Sequence, residues 1–232
     1  MTETAKRVII TGAAGALGAA VARAFMTSGA LLALFDRAAD SKELLKGAAA
    51  PHFFIGGVDL TDFEQARRAM DTAVSRLGGI DVLVNIAGGF RWETIAEGSL
   101  GTWDFMYSIN LKTAVCACKA ALAHLPQGAG RIINVGAAAT AKAGIGMGAY
   151  TASKAGVAKL TEALAEELKD KGINVNAVLP TIIDTPANRA DMPTADFTRW
   201  VDPQALADVI VFLSSHGARA ITGASILVAG RV

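Results

Sequence analysis

What most constrains the fold of this chain is a rhythm: short, β-rich apolar runs alternate with helix-length segments from one end to the other. RVIIT (7–11), LLALF (31–35), HFFIG (52–56), DVLVN (81–85), RIINV (131–135), INVNAV (173–178) and SILVA (225–229) read as strands. Helices are expected near 16–28, 62–77, 99–124, 149–170 and 203–214. Several strands are apolar on both faces, the pattern of parallel strands covered by helices on each side. Strand and helix alternating over the whole length predict an α/β chain with a doubly wound parallel sheet and right-handed crossovers. No linker, repeat or low-complexity segment interrupts the pattern, so residues 1–232 are read as one domain. The rhythm fails only at 180–202, PTIIDTPANRADMPTADFTRWVD. A long connection beyond a strand end, carrying the aromatic residues Phe197 and Trp200, is expected to be a substrate lid.

Composition narrows the partners. A formal charge of +1 offers no electrostatic footprint for nucleic acid or an anionic membrane. No apolar run approaches the ~18 residues of a spanning helix, and MTETAKRVIITG lacks the layout of a signal peptide. A cytoplasmic protein acting on a small molecule is the expectation. Cys116 and Cys118 lie two apart on a helix, where they face different ways; they read as small packed residues, and no metal site is expected.

Directly after the first strand comes TGAAGALG, with Gly12, Gly15 and Gly18. Glycine permits a tight turn there and lets backbone approach a pyrophosphate, which the following helix N-terminus attracts through free N–H groups and partial positive charge. Leu17 lies in the same turn. The second strand ends at Phe35, and the next residue is Asp36, 18 residues beyond Gly18. A carboxylate at that point accepts both ribose hydroxyls of NAD and repels the 2′-phosphate of NADP. NAD (NADH) is therefore the expected cofactor, with NADP the weaker candidate because Arg37 stands beside Asp36.

In YTASK, Tyr150 and Lys154 are four apart and share a helix face. An ammonium near a phenol favours the phenolate and should lower its pKa toward working pH, where proton transfer is efficient. TGAAGALG, VDL (58–60), NIAG (85–88), INLK around Asn110 and YTASK together resemble the short-chain dehydrogenase/reductase family across essentially the whole chain. The resemblance implies a Rossmann-type fold. It places Asp59 and Leu60 beside the adenine and Asn85, Ala87 and Gly88 beside the adenosine ribose. It assigns the segment from Pro180 through Ile183 to Thr185 to the nicotinamide carboxamide, Lys154 to the nicotinamide ribose, and Asn110 to a water relay reaching the lysine. It also implies a homodimer or homotetramer.

One residue departs from the family. A serine that polarises the substrate carbonyl stands about 13 residues before the tyrosine in the wider family, and Ala137 occupies that position here. Thr140, the nearest hydroxyl, is three residues out of register. AGGF, the serine-less stretch and LPTIIDTPANRADMPTADFTRW look like the dihydropteridine reductase branch, although Asn110 follows the broad family instead. That likeness implies an electron-poor quinonoid pterin, with Phe90 and Trp92 as a flat apolar surface and Met192, Phe197 and Trp200 as a second wall. The alternatives are a general carbonyl/alcohol or 3-oxoacyl reductase, in which water replaces the serine, and a non-catalytic NAD(H)-binding sensor.

Overall fold

The computed structural model describes residues 5–40, 44–45 and 51–232. In chain order the strands and helices are β1 (Arg7–Thr11), α1 (Ala16–Thr27), β2 (Leu31–Phe35), β3 (Phe53–Ile55), α2 (Phe63–Leu77), β4 (Val82–Asn85), α3 (Leu100–Met106), α4 (Thr113–Ala121), β5 (Arg131–Val135), α5 (Gly148–Leu168), β6 (Asn174–Pro180), α6 (Pro186–Asp191), α7 (Pro203–Ser214) and β7 (Ser225–Val228). The strands form one sheet in the order β3-β2-β1-β4-β5-β6-β7, and every pair is parallel. This is the single-domain Rossmann-type sheet, with helices on both faces, that the alternation predicts.

Because side chains alternate across a strand, neighbouring residues feed opposite cores. Ile9, Leu83 and Ile132 join the layer under α2, α4 and α5, whereas Val8, Ile10, Ile133 and Val135 pack beneath α1 and α7. Phe25, Phe35, Ile9 and Ile10 are among the largest side chains fully removed from water, each contributing about 1.5–3 kcal/mol by burial. Arg7 on β1 pairs with Asp81, just before β4, at 2.6 Å and locks the starts of the two central strands together. Their far ends are also in register, with Thr11 opposite Asn85. The chain leaves β1 toward β2 and β3 and returns to the other side at β4. The crevice at the carboxyl ends of β1 and β4 is thus the topological switch point, where ligands bind in such sheets.

Local signals set the helix ends. Asp62 caps α2 by accepting from the N–H groups of Glu64 and Gln65, and Gly78 closes it in the left-handed region at φ 76°. Two expected elements differ in detail. The helix read over 99–124 is broken into α3 and α4 by a π-helical turn over Tyr107–Lys112, and Asn110 sits inside it. Segment 180–202 is partly regular: it contains α6 and a short 3₁₀ turn at Phe197–Arg199.

Candidate active site

A cavity of ≈ 730 Å³ opens at the switch point. Its floor is the turn after β1. Gly12 adopts φ +66°, and a Cβ there would stand 2.7 Å from the Ala87 nitrogen. A Cβ on Gly18 would overlap the Gly12 carbonyl. Both glycines are thus demanded by the chain's own packing. Gly15 differs: a Cβ on it would meet only the Gly12 carbonyl oxygen at 3.4 Å, an ordinary contact. Its bare surface faces the cavity. Gly15 begins α1 with no side-chain cap, and no acidic residue lies in the first turn. Free N–H groups and the positive helix end therefore face the space where a pyrophosphate fits. Thr11 Oγ1 accepts from the nitrogens of Ile86 and Ala87 at 3.1 and 3.2 Å, which pins the second wall.

Asp36 stands at the rim. Its carboxylate accepts from Ala14 N and Ala38 N, both at 2.9 Å, and it lines the cavity beside Arg37. Of the residues expected to bind cofactor, Gly12, Gly15, Leu17, Gly18, Asp36, Asp59, Leu60, Ala87, Gly88 and Thr185 line this cavity, and Asn85, Pro180, Ile183 and Lys154 do not. Asn85 turns inward, donating to Asn134 Oδ1 at 2.9 Å and to Cys118 Sγ at 3.2 Å. Ile183 packs against the α1/α7 core and bridges to Val201. Sequence reading missed Phe105, Ile109 and Thr113, a stripe at i, i+4 and i+8 that lines the same cavity. The spacing was visible, but nothing local says which side of a helix faces a ligand.

The chemistry-bearing side chains gather beside this cavity. Lys154 is buried on α5, and its ammonium donates to the Val135 carbonyl at 2.8 Å. A Cβ at Gly88 would stand 2.5 Å from Asn110 Oδ1 and 3.4 Å from Lys154 Nζ, which places both groups directly under that glycine. Asn110 is itself buried. Its Oδ1 accepts from Gly89 N at 2.9 Å, and its Nδ2 donates to the Gly89 carbonyl at 3.1 Å and to Ser153 Oγ at 3.0 Å. The π turn presents this amide to the Gly88–Gly89 loop; such turns concentrate at functional sites.

The expected lowering of the Tyr150 phenol by its lysine is not present here. Burial pushes the phenol up to about 12, and burial brings the Lys154 ammonium down to about 8. The ammonium is occupied with a main-chain carbonyl, so desolvation alone acts on the phenol. Among the described residues no side chain hydrogen-bonds the phenol. Ala137 is buried at the entry to a short 3₁₀ turn. Thr140 does not replace the missing serine, because its hydroxyl folds back onto the Ala137 carbonyl at 2.8 Å.

The aromatic candidates separate. Phe90 meets Tyr150 edge-to-face, with ring centroids 5.0 Å apart. Trp92 lies against the backbone of Gly146, where a Cβ would overlap its indole. Met192 ends α6 half-buried. Trp200 is 8% exposed and meets Phe197 at a tilt of 54°, with ring centroids 4.7 Å apart, and Arg189 covers the Phe197 ring while holding Asp184 at 2.6 Å. Phe197 and Trp200 therefore bind the 180–202 segment to itself.

Residues 6–196 match the family model described as short chain dehydrogenase. The chain belongs to that family. It is 34% identical to the D-threitol dehydrogenase of Mycolicibacterium smegmatis, over 97% of this chain and 92% of the relative. It is 32% identical to the meso-2,3-butanediol dehydrogenase of Serratia marcescens, over 97% and 93% respectively. Among solved structures, a blue fluorescent protein from a metagenomic library in complex with NADPH superposes with a TM-score of 0.89, at 33% identity and 97% coverage of both chains. The protein is accordingly an NAD(P)-dependent oxidoreductase of the short-chain type. These likenesses support the broad family and do not single out the dihydropteridine reductase branch. Among the described residues, no helix is long and apolar enough to cross a membrane.

Proposed function

We propose that this chain interconverts a small alcohol and its carbonyl compound with NAD(H), and that it prefers carbonyls already activated by an electron-withdrawing neighbour. The observation that carries the substrate preference is Ala137, buried where the family has a polarising hydroxyl, with Thr140 turned away. A missing oxyanion donor costs roughly 2.7–4 kcal/mol in acyl chemistry. An adjacent carbonyl or a conjugated ring system offsets such a loss from the substrate side. The relatives named for polyols and for 2,3-butanediol favour this reading over a pterin substrate. A quinonoid dihydropterin, also electron-poor, remains the second reading, favoured by the exposed Phe90 ring beside Tyr150.

When bound, the reduced nicotinamide supplies the hydride. Tyr150 gives the compensating proton to the substrate oxygen as the carbonyl π electrons move onto it. Lys154, one helical turn on and beneath Gly88, returns the proton to Tyr150 from solvent by a water relay that Asn110 helps to hold. Asp36 favours NADH over NADPH, since a 2′-phosphate would meet a carboxylate already fixed on two main-chain N–H groups. Segment 180–202 closes over the substrate with Met192 at its edge. Leu100, Trp103 and Tyr107 form an exposed apolar lane along α3 and the following turn, Leu100 being 83% exposed, and this lane supports a homodimer or homotetramer; light scattering during size exclusion checks it.

The activity test follows NADH absorbance with 2,3-butanedione, cyclohexanone, an acetoacetyl thioester and quinonoid dihydropterin at equal concentration. Turnover of 2,3-butanedione should exceed that of cyclohexanone by about tenfold or more, and Tyr150→Phe should lose ~100-fold while still binding NADH. Fastest turnover of the pterin would favour the second reading. Tight NADH binding with no turnover of any substrate would favour the sensor.

A further inference from the structure

Among the described residues no side chain hydrogen-bonds the Tyr150 phenol, and Ala137 offers it no hydroxyl. Yet a proton donor must be held to within a few tenths of an ångström of its productive position, because a misplacement of about 1 Å can cost ~100-fold in rate. The structure reaches Tyr150 from two directions, and both start at Asn110. In one, Asn110 Nδ2 donates to Ser153 Oγ at 3.0 Å, and the Ser153 hydroxyl donates to the Tyr150 carbonyl at 2.7 Å. In the other, both amide atoms of Asn110 grip the main chain of Gly89. The next residue, Phe90, presses on the Tyr150 ring at an interplanar angle of 82°.

We propose that Ser153 and Phe90 are positioning residues that aim the Tyr150 phenol, Ser153 from its backbone and Phe90 from its ring. Ser153 is 4% exposed and has no route to substrate, so its hydroxyl acts only through its two partners. Phe90 is 53% exposed, more than core packing needs. Its edge-to-face contact is of the kind worth about 0.5–1.5 kcal/mol beyond burial, enough to bias a ring with no hydrogen bond. Neither residue lines the nucleotide cavity. Loss of either should therefore loosen the proton donor without touching cofactor affinity.

The role rests on Tyr150 as the proton donor, and the test separates the two. Full-length Tyr150→Phe, Phe90→Leu and Ser153→Ala are assayed with NADH and 2,3-butanedione, and NADH binding is followed by fluorescence as a check of folding. Phe90→Leu and Ser153→Ala should each lower kcat by about tenfold, with KM for NADH and 2,3-butanedione changed less than about twofold. The turn that follows Ala137 packs on α5, and Ala137→Ser is introduced to give the phenol a side-chain partner. In that background the Phe90→Leu defect should shrink to about twofold, a coupling that a double-mutant cycle reads directly. Normal kcat in Phe90→Leu or Ser153→Ala, with Tyr150→Phe inactive, overturns the positioning role and leaves the function intact. A rise in substrate KM alone in Phe90→Leu overturns it too, making Phe90 a substrate wall. Full turnover by Tyr150→Phe removes the donor itself, and both readings fall.

Discussion

Lys154 should cost the protein stability in exchange for activity, and replacing it with methionine tests this. Burial lowers its ammonium from the ordinary 10.5 to about 8. At 1.36 kcal/mol for each pH unit, holding that charge inside the folded state costs about 3 kcal/mol at pH 7. The sign follows from the proton count: a depressed lysine binds fewer protons when folded than when unfolded, between about 8 and 10.5. The penalty is complete below the folded value and is relieved as pH rises toward the unfolded one. Methionine keeps the length and removes the charge, but it gives up the donor to the Val135 carbonyl, a loss of about 1–2 kcal/mol. Lys154→Met should therefore be more stable at pH 7 by about 1–2 kcal/mol, raising Tm by roughly 2–8 °C for a chain of this size, while turnover disappears. At pH 9.5 the wild-type penalty has fallen by about 2 kcal/mol, so the advantage should vanish or reverse. Urea unfolding of both proteins without cofactor, at the two pH values, gives both differences. A variant less stable than wild type by the same amount at both pH values would refute the reasoning.

Other outcomes follow from the same geometry. NADH should be preferred over NADPH by at least about tenfold in kcat/KM, about 1.4 kcal/mol. Asp36→Ala should shrink that ratio because Arg37 remains at the rim; steady-state kinetics with both cofactors measures it. Ala137→Ser should improve cyclohexanone several-fold and 2,3-butanedione little, and equal gains on both would mark a generally weakened reductase. Gly15→Ala should fold normally yet raise KM for NADH about tenfold or more, because the new methyl enters the open floor of the cavity. Gly18→Ala, whose methyl meets backbone, should lower Tm instead; circular dichroism melts beside the kinetics separate the two.

Sequence by itself determined whatever depends on local chemistry. Strand-sized apolar runs with two buried faces dictate a parallel sheet, and all seven strands stand within one or two residues of where their composition puts them. The glycine turn after β1 and the carboxylate after β2 are legible because strand order in a doubly wound sheet brings those two ends together. Tyr150 and Lys154 share a face by helical period alone. Tertiary structure decided what side chains do with partners far along the chain. Asn85 reads as a ribose neighbour, yet its amide nitrogen turns inward to donate to Asn134, 49 residues away. Trp200 reads as a lid surface but is drawn under Phe197, since a large ring gains more from burial than from facing water. The proximity of Lys154 to Tyr150 promises an acidified phenol, and burial reverses it by pushing the phenol up and turning the ammonium to Val135. Which way a side chain turns is settled by competition among long-range partners for the same donors and the same dry space, and one-dimensional spacing holds no record of that competition.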